Sequence, residues 1–553
     1  MIFSSFLCYL TVLSLYGYSY IYKRIENNDK NKPILNEDIF YGILVIVFFS
    51  LLINFFFLLK YFTLIIFIFG LILFTIGNKK KIFQVKFGYY FCLILIINYI
   101  SFYNGPNVDS PLYHLQTLNW MMLNKINLGI TNLNIRFGVN SSWHSFLALT
   151  NISVLNLQLK FYLSSIIFAI LSYSVLFKKK YLISGLYIFL SISFLLTYTL
   201  IHPFVNGPIL NQLGNPEVDT VAMFLFIFSF YIFLKFYEND FKVNNTSMNF
   251  MIVVIFLAVT VKISNISLMF LLLIILLYNK NYKIVNFTSI FVSLVGLMWL
   301  VRSFLISGCF LFPIKKTCMD TLWTDFIQTE FIAKVIQSYT RDTRLRERWT
   351  DFDHTLYSND WFVPWFKDYF LNTAILKISS ILLFISLIIF LSILTIEYLK
   401  KNKSVKYNKI FFLIVTIFFL ISIYIWLKAP EVRFGSGLII SLPCFYMAIL
   451  LDKLRLNRYF TNKTTLIAIF GLFSLLIIKH SNKFDLDHLI LINKGNYVDF
   501  EHIKKIADID GVEIFHSVKS KCGDFSKICV NKKKKNYEII QKYNYRIFSN
   551  NSH

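Results

Sequence analysis

Apolar residues run along this chain in repeated stretches of about 20, separated by short basic or polar segments. Wound as helix, a run of that length spans a bilayer's hydrocarbon core. The pattern predicts about fourteen helices: 1–21, 39–59, 61–77, 87–103, 158–177, 181–201, 219–237, 250–263, 265–279, 284–303, 373–398, 410–428, 437–452 and 464–480. Residues 250–279 read either as one long bent helix or as a hairpin of two short ones. The two-residue alternation of a membrane β-barrel is absent, and so is any repeat of fixed period. The predicted fold is therefore an all-α polytopic transmembrane bundle in three parts. Residues 1–86 form N-terminal transmembrane helices, 87–480 a transmembrane core with outer loops 104–157 and 304–372, and 481–553 a polar tail. Short alternating pieces of the tail, such as Gly511 to Phe515, predict a small α/β cap.

Composition agrees. A chain of 553 residues would allow two to four soluble domains. Yet 56% of the residues are hydrophobic and 15% charged, against roughly 25% charged in soluble globular chains. Mean hydropathy is +0.60. Soluble enzymes, disordered chains and disulfide-dense secreted scaffolds are excluded. The net charge of +25 would suggest nucleic acid in a soluble protein. Here it concentrates in short loops and the tail, as the positive-inside rule requires, so no nucleic-acid partner is expected. Lys79–Lys81, Lys178–Lys180, Lys400–Lys403 and Lys453–Arg455 are assigned to the cytoplasm. The opposite side then receives 104–157, 202–218, 304–372, 429–436 and the tail, provided 250–279 is a hairpin. Lys23 and Arg24 follow the first apolar run rather than precede it, which predicts an uncleaved helix.

Cys8, Cys92 and Cys444 lie in apolar runs and read as packing residues. Cys522 and Cys529 read as a disulfide pair if the tail lies outside the cytoplasm, with Cys309 and Cys318 a weaker candidate. Their spacing lacks the second cluster of a zinc site.

After the fourth run, Gly105 and Pro106 end a helix, Ser110 suits an N-cap and Pro111 the first helical position. Tyr113 and Trp120 share a face, which predicts a helix lying along the membrane surface. Asp109 then stands at the membrane exit. It reads either as a carboxylate stabilising a helix N-terminus or as a general base made more basic by partial desolvation. His114 and Arg136 carry a similar ambiguity, between a backbone or headgroup partner and a role in a site. Three further cations stand where bilayer meets outer water. Lys262 interrupts an apolar stretch, Arg302 ends a span and Arg433 sits between Pro430 and Gly435. Each can hold a phosphate or merely reach for lipid headgroups.

Several segments resemble a known family. They are Asp109-Ser-Pro-Leu-Tyr-His-Leu-Gln116, Arg136-Phe-Gly138, Asn140-Ser-Ser-Trp143, Asn215-Pro-Glu-Val-Asp219, Val261-Lys-Ile-Ser264, Arg302 with Ser307-Gly308, Phe312-Pro313, Ala429-Pro-Glu-Val-Arg-Phe-Gly435 and Cys522-Gly-Asp524. Together they resemble a family of uncharacterised bacterial polytopic membrane proteins that looks related to the GT-C glycosyltransferase superfamily. The resemblance implies a multi-pass protein of the bacterial inner membrane. It also implies Asp109 as the catalytic aspartate of the first outer loop and Asp219 as a second acidic residue. Three apolar runs before the expected first helix depart from the usual GT-C layout.

The expected function is transfer of a sugar from a polyprenyl-phosphate donor to a glycan, lipid or protein acceptor outside the cytoplasm. Asp109, His114 and Asp219 would be catalytic, with Tyr113, Arg136, Trp143, Lys262, Arg302 and Arg433 binding substrate. The partners are the polyprenyl-phosphate-linked sugar and membrane lipids. No cofactor is specified beyond an optional divalent metal, and no metal-binding residue is assigned. A flippase or transporter of lipid-linked glycans, a surface-polysaccharide polymerase or ligase, and a non-catalytic membrane scaffold are the alternatives. A transporter would be expected to show two related halves with broken helices, which the sequence lacks.

Overall fold

The computed structural model describes residues 2–27, 38–77, 85–102, 109–154, 157–159, 162–176, 182–201, 213–241, 244–279, 282, 285–341, 353–399 and 409–481; in the tail it describes 502–509, 512–517, 522, 528–530, 537–542 and 545–550. The basic runs at 79–81, 178–180 and 400–403, the stop at Gly105-Pro106, and Gly523-Asp524 lie outside the described residues.

The chain is helical with a small β region near its C-terminus. The helices are α1 (Ile2–Asn27), α2 (Ile39–Phe56), α3 (Thr63–Gly77), α4 (Val85–Phe102), α5 (Leu115–Leu123), α6 (Ser142–Thr150), α7 (Ser164–Leu176), α8 (Ile183–Ile201), α9 (Asp219–Glu238), α10 (Asn245–Val261), α11 (Leu268–Tyr278), α12 (Phe287–Ser307), α13 (Phe326–Arg341), α14 (Asp353–Leu356), α15 (Phe362–Trp365), α16 (Ala374–Leu399), α17 (Lys409–Trp426), α18 (Val432–Lys453) and α19 (Asn462–Ser481). Each predicted apolar run forms a helix. Seven of the described helices, α1, α2, α8, α9, α12, α16 and α18, are long and apolar enough to cross a membrane. The run predicted from residue 158 is shorter than expected, because Ser153–Val154 (β1) pairs antiparallel with Leu157–Gln158 (β2) and the helix begins at Ser164.

Helix α9 is the centre of the bundle. Nearly all its residues are buried, and it packs on α8, α10 and α18. Helices α12 and α16 instead expose apolar side chains such as Leu297, Phe384 and Leu391. That arrangement suits contact with lipid rather than water. Helix α1 approaches α3 closely: a Cβ on Gly17 would stand 2.0 Å from the Gly70 carbonyl oxygen, so only small residues allow this packing. Residues 250–279 do not form one bent helix. The backbone turns extended at Lys262 (φ −152°, ψ 119°), passes through a short 3₁₀ turn at Ile263–Ser267, and α11 packs back on α10.

Of the predicted α/β cap, the tail shows the strands. Its described residues are strands: Ile503–Ile509 (β3), Val512–Ser517 (β4), Ile528–Val530 (β5), Tyr537–Lys542 (β6) and Tyr545–Asn550 (β7). Strands β3 and β4 pair antiparallel, β4 and β5 parallel, and β6 and β7 antiparallel. The last strand docks onto the segment that follows α5. Leu128 bridges Ile547, and Asn132 Nδ2 donates to the Phe548 carbonyl at 2.6 Å. Gly129 makes this junction possible. It holds φ +65°, and a Cβ there would meet Trp323 Cβ at 2.4 Å and the Phe548 carbonyl oxygen at 2.7 Å. Cys522–Cys529 and Cys309–Cys318 are both disulfides. Cys8 and Cys444 are buried as expected, whereas Cys92 is exposed on α4.

Candidate functional site

Four chain segments converge at one end of the bundle. The start of α9 brings Asp219, the break after α10 brings Lys262, the start of α18 brings Arg433, and the turn before α5 brings Asp109. Two placements follow helix electrostatics. Asp219 occupies the first turn of α9 and Lys262 caps the C-terminus of α10, so each charge opposes the local dipole end. Lys262 forms an ion pair with Asp219. Arg433 forms one with Asp109 and a second, Nε to Glu431 Oε1, at 3.0 Å. Lys262 Nζ also donates to the Arg433 carbonyl at 3.2 Å, which joins the two pairs into one cluster. The Phe434 ring lies beneath both cations, 4.2 Å from Lys262 Nζ and 5.1 Å from the Arg433 guanidinium carbon.

The loop that carries Arg433 is held from three sides. Trp426 Nε1 donates to the Glu431 carbonyl at 2.8 Å, Trp365 Nε1 to the Pro430 carbonyl at 3.2 Å, and the Val432 N–H to the Tyr369 hydroxyl at 3.2 Å. Trp365 and Tyr369, from the segment before α16, and Trp426, at the end of α17, thus fix the cluster without contributing charge to it. Behind Phe434 a small cleft is lined by Ser264, Asn265, Ser267, Ser422 and Trp426.

Around Asp109 the geometry departs from expectation. Ser110 is not an N-cap, because Asp109 already has helical angles (φ −75°, ψ −26°). Residues 110–114 form a π-turn, which recurs at functional sites. Ser110 is buried and donates to Glu217 Oε1 at 2.9 Å. The helix is not a free surface helix either, since Trp120 is 5% exposed and packs beneath Phe137 and Phe548. Tyr113 lies between His114, at 4.1 Å, and the Arg136 guanidinium, at 5.8 Å. Burial raises the Tyr113 phenol well above its ordinary range.

His114 Nδ1 stands 2.9 Å from His144 Nε2. One ring donates and the other accepts, which two imidazolium rings cannot do. Burial pushes His114 down to about 3; Asp219 opposes the shift, and Arg433, Lys262 and Arg136 add to it. His144 is lowered well below its usual value, first by burial and then by His114 and Arg302. Both groups are depressed bases, so the unfolded chain binds more protons below its histidine pKa of about 6.5. Stability is fully present above that pH and falls as pH drops towards 3, approaching about 1.4 kcal/mol per pH unit for each histidine. The unfolding midpoint of the detergent-solubilised protein should be flat from pH 7 to 8 and fall below pH 6.5. Replacing both histidines with asparagine should flatten the curve, and an unchanged slope would assign it elsewhere.

Two expected binding residues lie outside the cluster. Trp143 is 2% exposed and stacks on Phe146 inside α6, where every residue is buried. It is a core side chain. Arg302 does not join Lys262 and Arg433; its Nη1 donates to Asn140 Oδ1 at 2.5 Å. The expected cradle of three cations is therefore a pair. Glu431, Glu217, His144 and Phe434 belong to the arrangement but were given no role in the sequence. Each adjoins a residue that was, or lies within two positions of it, and that proximity was the available signal.

A resident metal does not fit this donor set. Among the described residues no three His, Cys, Asp or Glu side chains come together, and Asp109, Asp219 and Glu431 each face a cation.

No curated protein and no solved structure matches the chain. A family model does match, the domain of unknown function DUF8201, over residues 1–440. With most of its length covered, the chain belongs to that family.

Proposed function

We propose that this is a GT-C-type membrane glycosyltransferase that takes a sugar from a polyprenyl-phosphate donor and transfers it at the outer face of a bacterial inner membrane. The observation that carries the reading is the joined pair of acid–cation contacts at one end of a lipid-exposed bundle. A lipid phosphate entering there competes with Asp109 for Arg433, and with Asp219 for Lys262, because all are oxyanions. Arg433 has a second acidic partner, Glu431 at 3.0 Å, to hold it during the exchange. Asp109, released, accepts the proton of the acceptor hydroxyl. The hydroxyl oxygen bonds to the anomeric carbon, and the bond from that carbon to the phosphate oxygen breaks. The electron pair leaves with the phosphate, where Arg433 and Lys262 offset the new charge. His114 and Tyr113, neutral beside Asp109, shape its surroundings without adding charge.

The test is transfer of labelled sugar from a polyprenyl phosphate by the purified protein in detergent. Bond formation there supports a transferase. A protein that moves lipid-linked glycans across vesicles but forms no glycosidic bond is a flippase, and the proposal fails.

A further inference from the structure

Arg302 is 5% exposed and projects from α12, a candidate membrane span. Buried guanidinium groups are normally paired with carboxylates, because an uncompensated buried charge is strongly destabilising. Arg302 meets no carboxylate among the described residues. Among the described residues, its one hydrogen-bond partner is the neutral side chain of Asn140, and its Nε has none. It lines a small half-open cavity between the ends of α2 and α12 and the segment that follows α5. The other polar groups there are Asn54, Thr117, Trp120, Lys125 and Asn127, with no acidic residue among them. Trp120 Nε1 is a second buried donor without a partner. The cavity is separate from the Asp109–Asp219 cluster, though Thr117 donates to the Tyr113 carbonyl at 2.9 Å, one helical turn away.

We propose that this cavity is an oxyanion site that receives a phosphate group. Arg302 and Trp120 are the inner donors and Lys125 the cation at the rim. The cavity is small and opens to one side, so a phosphate would present one or two of its oxygens to the inner donors while the rest of the group stays in the opening. A guanidinium with a free Nε and a neighbouring ammonium provide the directed donors and the charge that a phosphate requires. The phosphate can belong to a lipid headgroup or be free in solution. The site stands whether or not the chain transfers sugar.

The full-length protein in phosphate-free maltoside detergent is melted in three titrations: inorganic phosphate, dihexanoyl phosphatidic acid, and the matching dihexanoyl glycerol. A rise in melting midpoint with phosphate, phosphatidic acid or both is expected, and none with the glycerol. A response to the lipid alone identifies a headgroup site, and a response to inorganic phosphate identifies a soluble ligand. Arg302→Gln should weaken the response at least tenfold while leaving the ligand-free midpoint unchanged or higher, since it removes an unpaired buried charge. Lys125→Ala, at the rim, should weaken it several-fold and decides the matter if the Arg302 variant does not fold. The proposal is overturned if neither phosphate probe raises the wild-type midpoint, or if the response survives undiminished in the folded variants.

Discussion

Asp109→Asn is expected to reduce sugar transfer by about 10²–10⁴-fold, the range over which a positioned base contributes, while costing much less stability than the loss of Lys262 does. The asymmetry follows from the geometry. The Asp109 side chain is 18% exposed, and removing its charge does not strand Arg433, which retains Glu431. The amide still accepts a hydrogen bond from the guanidinium but cannot take a proton from a hydroxyl. Initial rates and unfolding midpoints of the same preparation separate the two effects. Full turnover in Asp109→Asn would remove the base assignment. A large loss of stability without kinetic change would make the residue a structural partner of Arg433.

Lys262→Met should be among the most destabilising single changes, at about 3–5 kcal/mol. The Asp219 side chain is 12% exposed, and Lys262 is its ion-pair partner. Without the ammonium, that carboxylate is left with uncompensated charge in a site poor in water. Adding Asp219→Asn should recover much of the loss, with a coupling of about 1–3 kcal/mol between the positions. Denaturant unfolding in detergent of the two single variants and the double variant measures this. Additive effects would mean that Lys262 merely reaches for headgroups, and the acid–cation cluster would not be a unit.

Much of the architecture was legible along the chain. Every predicted apolar run is a helix, because a run of about 20 apolar residues leaves its backbone no partner in lipid except itself. The disulfide Cys522–Cys529 was legible on the condition that the tail lies outside the cytoplasm, and the break at Lys262 was legible only as one of two alternatives, a hairpin or one bent helix. The local start of the Asp109 helix was not. Ser110-Pro111 has the composition of a helix start, yet Ser110 turns to Glu217, more than a hundred residues away, and no local rule anticipates that partner. The tail was half legible: its alternation marked strands, while the expected helical part is absent from its described residues.

Among the candidate residues, the sequence by itself determined which charges sit at helix ends near the bundle's rim: Asp109, Asp219, Lys262, Arg302 and Arg433. Their position follows from where apolar runs stop, and that is a one-dimensional property. Only the tertiary structure decided how they pair. Asp109 finds Arg433 across 324 residues and Asp219 finds Lys262 across 43, whereas Arg302 remains with a neutral amide and Trp143 disappears into the core. Pairing is a matter of distance and burial between segments, which helix packing sets and composition does not encode.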